Sequence, residues 1–203
     1  ERLIVEDMPL RADECSAYFA YLTERYSTLP RQMLFVHADA PEHIGGTGHP
    51  NIIDDTLAAV LNGVTVPFAH LGSNRVTMHW SPDTMSVLWR GVFGSSISPG
   101  PSDVSTYCCS HFIVSRERVL LRPRHFYANA LRFVGSPESY YYLPVPLGHA
   151  SARDITCRLT CQNMMFVWHV IFGAELYLPH RMFDPSIPLF LKLRNIRTAY
   201  MQL

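Results

Sequence analysis

Short runs of wholly apolar residues alternate along this chain with stretches whose apolar residues recur at helical spacing, and that alternation limits the folds open to it. Met33-Leu34-Phe35-Val36 is a run of the buried-strand kind, closed by His37. Tyr107 to Val114 is a second such run, and Val64–Leu71 and Val76–Trp80 read as strands or extended connections. Residues 11–26 place Cys15, Tyr18, Leu22 and Tyr26 on one helical stripe, which Leu29-Pro30 ends because proline disfavours a helical residue before it. Residues 52–62 carry Ile53, Leu57, Val60 and Leu61 at helical spacing. Ser115 caps a helix that runs to Arg122, and Pro123 opens the next. Leu159 to Phe172 reads as one apolar helix, ended by Gly173 in a left-handed cap. Strands alternating with helices predict an α/β domain, a layered mixed sheet with flanking helices.

Gly and Pro punctuate the pattern. Residues 41–50 form a loop, residues 135–152 are irregular, and 94–106 read as a flexible loop or active-site flap. The expected organisation is one domain over 1–173 and a tail over 174–203, packed on the domain or on a partner. Phe190, Leu191, Leu193, Ile196, Tyr200 and Met201 are a large apolar load for that tail, interleaved with Lys192, Arg194 and Arg197.

Within 203 residues, 48% apolar composition suffices for a sizeable core. Acidic and basic residues cancel, so no net field favours nucleic acid, and no nucleic-acid-reading motif occurs. Sixteen of the 17 basic residues are arginine, with Lys192 the lone lysine. Guanidinium forks suit phosphate and carboxylate clamps, but here they are scattered. No apolar run is long enough to span a bilayer. The chain opens at Glu1 without a methionine, which suggests a processed product and an organelle or secretory lumen. Five cysteines are too few and too unevenly spaced for a disulfide scaffold, and their odd number leaves at least one thiol free unless a partner takes it.

Three clusters could carry chemistry. His37, Asp39 and His43 lie where an apolar strand enters a loop, and two imidazoles with a carboxylate can hold a divalent metal. Equally, they are polar residues at a strand exit. Cys157 and Cys161, near His149 and His169, lie four apart, a spacing less usual for zinc than the tighter pairs. In Cys108-Cys109-Ser110-His111, Cys109 and His111 share a strand face as a nucleophile and base would, with core packing the plainer account. Neither a phosphate-binding glycine loop nor a Gly-x-Ser-x-Gly elbow is present.

The chain also resembles a eukaryotic domain-of-unknown-function family of fungi, plants and algae. The resemblance rests on Glu14 followed by Tyr18, Leu22, Tyr26 and Leu29-Pro30, on Phe35-Val36-His37 with His43, on YCCSHFIVSRERVLLRPRHFY at 107–127, and on Trp168-His169-Val170-Ile171-Phe172-Gly173. Such proteins look like metal-dependent nucleotide-sugar glycosyltransferases of the mixed α/β kind, so the implied fold is a truncated glycosyltransferase-A-like domain. In that likeness His37, Asp39 and His43 border the donor or metal site, and His111 and His169 line the same cleft.

Two departures count against catalysis. Family members begin with a further strand-loop-strand segment, and the acid expected three positions before Trp168 is Met165. A thioether neither takes a proton at neutral pH nor binds a hard cation. The expectation is therefore a non-catalytic accessory or structural subunit of a larger protein assembly, without a cofactor and without tightly bound magnesium or manganese at 37–43. The alternative is an active, metal-dependent glycosyltransferase-like enzyme.

Overall fold

A computed structural model describes residues 13–37, 51–72, 74–79, 82–94, 101, 103–107, 109–135 and 163–192. Its elements are α1 (Asp13–Glu24), β1 (Gln32–Phe35), α2 (Ile52–Leu61), β2 (Phe68–His70), β3 (Arg75–His79), α3 (Pro82–Phe93), β4 (Asp103–Tyr107), β5 (Phe112–Ser115), α4 (Arg116–Val119), α5 (Arg124–Val134), α6 (Trp168–Ile171) and α7 (Leu189–Lys192). The expected loop at 41–50, the Cys157–Cys161 pair, residues 135–152 beyond Gly135 and the tail beyond Lys192 lie outside the described residues.

Strand β5 is the centre of a three-stranded sheet in the order β1-β5-β2. Phe112 stands opposite both Phe35 and His70, and Val114 opposite both Met33 and Phe68. Side chains alternate across a strand, so this register sorts them onto two faces. Met33, Phe35, Phe68, Phe112 and Val114 join the larger apolar cluster with α1, α5 and α6. Ala69 and Ile113 join a second cluster with Ile52 of α2, Ile187 and Leu191. A sheet covered on both faces needs apolar residues at every position of its central strand, and β5 is buried throughout.

The mixed sheet expected from sequence is instead antiparallel, because β1 and β2 run the same way but are separated by β5. A second antiparallel pair, β3-β4, runs from Arg75 opposite Tyr107 to His79 opposite Asp103. Tyr107 to Val114 is consequently two strands, not one. The chain leaves one sheet at Tyr107, bends at Cys109-Ser110 and enters the other at Phe112. Residues 103–106, expected in a flexible loop, are paired with β3. α3 has no counterpart in the sequence reading.

The helices show similar local revisions. In α2 the buried line is Ile52 and Thr56, while Leu57 and Leu61 of the expected stripe are exposed. Thr56 is tolerated there because its hydroxyl donates to Ile52 O at 2.6 Å. The segment before Gly173 is interrupted by a turn at residues 165–167, leaving α6 as a single helical turn. Gly173 does take the left-handed conformation, at φ 74°.

Cys15 and Cys109 are both disulfide-bonded, a state that the cysteine spacing left open. Beyond α6 the chain runs back as a strap. Tyr177 bridges Ser105 in parallel, with Ser105 N donating to Leu176 O and Leu178 N to Ser105 O.

Arginines pin these pieces through main-chain carbonyls. Arg122 donates to Ile171 O and Val170 O at the end of α6 while lying over the Phe93 and Phe126 rings. Arg75 donates twice to Leu178 O, and Arg124 to Thr23 O.

Phe35, Phe112, Val114, Trp168 and Ile171 meet in one cluster, as their apolar segments require. Trp168 is wholly buried and rings against Tyr18, Phe19, Phe112 and Phe172. Trp168→Ala should cost about 3–5 kcal/mol in urea unfolding, whereas Leu57→Ser on the exposed side of α2 should stay within about 0.5 kcal/mol.

Candidate functional site

Each of the three strands of the sheet has a histidine at or next to the same end. His37 follows β1 by two residues, His70 closes β2, and His111 immediately precedes β5. Antiparallel pairing about Phe112 brings the ends of β1 and β2 to the start of β5. His169 arrives from α6. Of the residues singled out from sequence, the structure thus gathers His37, His111 and His169 at one end of the sheet, while Asp39 and His43 lie outside the described residues.

Glu14, at the start of α1, faces His37. Its Oε1 lies 3.1 Å from His37 Nε2, within ion-pair distance. Burial raises the carboxyl pKa, but the contact and charge of His37, with smaller help from its own backbone and Ser110, outweigh it and hold the net value below the usual range. Both side chains keep some exposure, 21% for Glu14 and 17% for His37. Among the described residues at this end of the sheet, they form an acid–imidazole pair that keeps solvent access.

His111 lies behind it with 1% exposure, its ring 4.2 Å from that of His37. His37 N donates to His111 Nδ1 at 3.3 Å, which assigns the proton of the neutral imidazole to Nε2. Ser110 beside it joins three elements. Tyr18 OH donates to Ser110 O at 3.2 Å, Trp168 Nε1 donates to Ser110 Oγ at 3.3 Å, and Glu14 also reaches this residue. Cys109, paired with His111 from sequence as nucleophile and base, is disulfide-bonded and has no thiol to offer.

His70 was missed from sequence, although Pro67-Phe68-Ala69-His70 has the same apolar-run-then-histidine form that drew attention to His37. Its Nδ1 donates to Cys109 O at 3.2 Å, so Nε2 accepts from Thr106 Oγ1 at 3.0 Å. Both ring nitrogens are satisfied in the neutral form. Burial, then the neighbouring His169, hold the pKa well below the ordinary histidine value. His169, whose ring is 6.2 Å from His70, donates from Nε2 to Leu176 O at 3.2 Å and buries Nδ1 without a hydrogen-bond partner among the described residues. Its burial lowers the pKa to about 4. His37 and His169 lie at the same sheet end, but neither the cavity beside β2 and the strap nor the one beside α1 and β1 is lined by either of them. Among the described residues, no group of three or more His, Cys, Asp and Glu could hold a metal ion, and no helix could cross a membrane.

A histidine whose folded pKa lies below its unfolded value resists protonation in the native state. Between pH 6.5 and about 4 the unfolded chain binds the extra proton at His169, so stability is complete above pH 6.5 and falls with pH through that window. The difference corresponds to roughly 3 kcal/mol from His169 alone, with His70 adding in the same direction. Urea unfolding at pH 7 and pH 4 should show this loss, and His169→Phe should flatten the slope. An unchanged slope would refute the assignment.

No curated protein matches the chain, and neither does any solved structure. A family model does match, over residues 66–182, more than half the chain. The span contains His70, His111, His169 and the strap as far as Met182, while Glu14 and His37 precede it. The chain therefore belongs to the family described as "Protein of unknown function (DUF3431)".

Proposed function

We propose that this chain is a non-catalytic accessory or structural subunit, on a scaffold that resembles a reduced glycosyltransferase domain. The observation that carries this reading is the use made of the candidate histidines. His111 and His169 are sealed in the core, each with one ring nitrogen on the main chain. A general acid or base must come within hydrogen-bond reach of its substrate, and these two are sealed from solvent, each holding a loop through one ring nitrogen. Met165, half-buried before α6, stands where the resemblance expects a carboxylate. Met182, Phe183 and Leu189 on the strap are 57%, 80% and 68% exposed, an apolar surface suited to association with other chains. Disulfide bonding at Cys15 and Cys109 fits an oxidising lumen.

One observation favours the other reading, a metal-dependent glycosyltransferase-like enzyme acting on a nucleotide-sugar. The Glu14–His37 pair joins a carboxylate and an imidazole 3.1 Å apart at a partly exposed position, and Asp39 and His43 follow closely in sequence.

Calorimetric titration with manganese, with and without a nucleotide-sugar, separates the two. The accessory-subunit reading expects no saturable binding at micromolar concentration and no turnover. Micromolar binding abolished by Asp39→Ala, with sugar transfer lost in His37→Ala, would replace it with the enzymatic reading.

A further inference from the structure

Away from the sheet-end histidines, a cavity of ≈ 370 Å³ opens between β2, the turn after α6 and the strap. Its size is that of a small-molecule site. Phe68, Pro179, Pro185 and Ile187 supply apolar wall, and Arg118 and Arg181 supply cationic wall.

Arg181 is the unusual member. One nitrogen, Nη2, donates to His70 O at 2.8 Å and to Gly72 O, and the guanidinium lies over the Tyr107 ring at 4.6 Å. Those contacts fix its plane. Nε and Nη1 meet no acceptor among the described residues, and no carboxylate there lies within ion-pair distance. Burial pulls its pKa below the usual arginine value, with Tyr107 and Asp184 opposing that shift only in part. Asp184, also on the cavity wall, accepts at Oδ1 from Ser186 N at 2.8 Å and Ser186 Oγ at 2.6 Å and keeps its charge. Arg118 presents a second guanidinium to the same space, held by one bond from Nη1 to Gly173 O at 2.9 Å. The remaining acid on the wall among the described residues, Glu175, is exposed.

A desolvated cation without a carboxylate partner is costly, and proteins keep such groups where an anion completes them. A planar fork with donors to spare suits two oxygens of one oxyanion. Two guanidinium groups facing one cavity match a doubly charged head better than a carboxylate. We propose that this cavity binds an organic phosphate monoester, with the phosphate on Arg181 and Arg118 and the organic body against Phe68 and the prolines. This site stands independently of either functional reading above.

Calorimetry of the full chain at low ionic strength, with phenyl phosphate, inorganic phosphate and benzoate as probes, tests it. Phenyl phosphate should bind saturably and more tightly than the other two. Arg118→Gln should weaken it by about tenfold or more, the loss of one charge-assisted contact, while the free protein stays folded and its melting temperature falls by no more than the loss of the single bond to Gly173 O accounts for. Arg118→Lys, which keeps the charge but not the fork, should weaken it less and guards against a folding defect in the first variant. Arg90→Gln, exposed on α3, should leave affinity unchanged. The proposal fails if phenyl phosphate gives no saturable heat, if benzoate binds more tightly, or if Arg90→Gln weakens binding as much as Arg118→Gln does.

Discussion

Everything else in this domain is arranged around the Phe112 ring. It lies within 6.2 Å, centroid to centroid, of Tyr18, Phe35, Phe68, His70, Trp168 and Phe172, so α1, all three strands of the larger sheet and α6 meet on one side chain. Aromatic pairs gain from tilted and edge-on contacts beyond the area they bury, and they fix relative orientation as well as distance. Packing at Phe112 therefore sets the angle at which α6 crosses the sheet. That angle brings the Trp168 indole to Ser110 and His169 to His70.

The polar groups at this end of the sheet serve the same arrangement. The bend at Cys109-Ser110, where the chain changes sheets, exposes main-chain groups that sheet pairing cannot satisfy. Tyr18 takes Ser110 O, and His70 takes Cys109 O. Arginines do comparable work on the far side of α6 and along the strap, each donating into carbonyls left over at helix ends and turns. A chain so poor in lysine uses the rigid guanidinium fork as a main-chain staple. Arg181 and Arg118 keep part of their forks for the cavity they both line.

Much of the local structure was legible from residue pattern. The run before His37, the helix over Tyr18 and Leu22, the Ser115 cap and the Gly173 cap all depend on neighbours a few positions apart, and each is where its residues imply. The Tyr107–Val114 run misled because an apolar stretch looks the same whether it continues in one sheet or passes between two. In α2, Thr56 faces inward and Leu57 outward because a hydroxyl bonded to its own helix can be buried, while hydropathy alone ranks them the other way. His70 escaped notice for want of a second polar neighbour in sequence; its partners, Thr106 and Cys109, are more than thirty residues away.

By itself the sequence determined that this chain folds as α/β layers with an apolar core, since apolar runs and helical stripes are local patterns that solvent exclusion acts on directly. It also singled out His37, His111 and His169. Tertiary structure alone decided what those histidines are. Antiparallel pairing about β5 carried three strand ends together, and burial, which no local pattern records, made two of the three candidates parts of the core and left the Glu14–His37 pair partly exposed. The same long-range packing set two arginines, 63 positions apart in sequence, against one cavity. Charge placement of that kind depends on distances through space, and sequence separation carries no information about them.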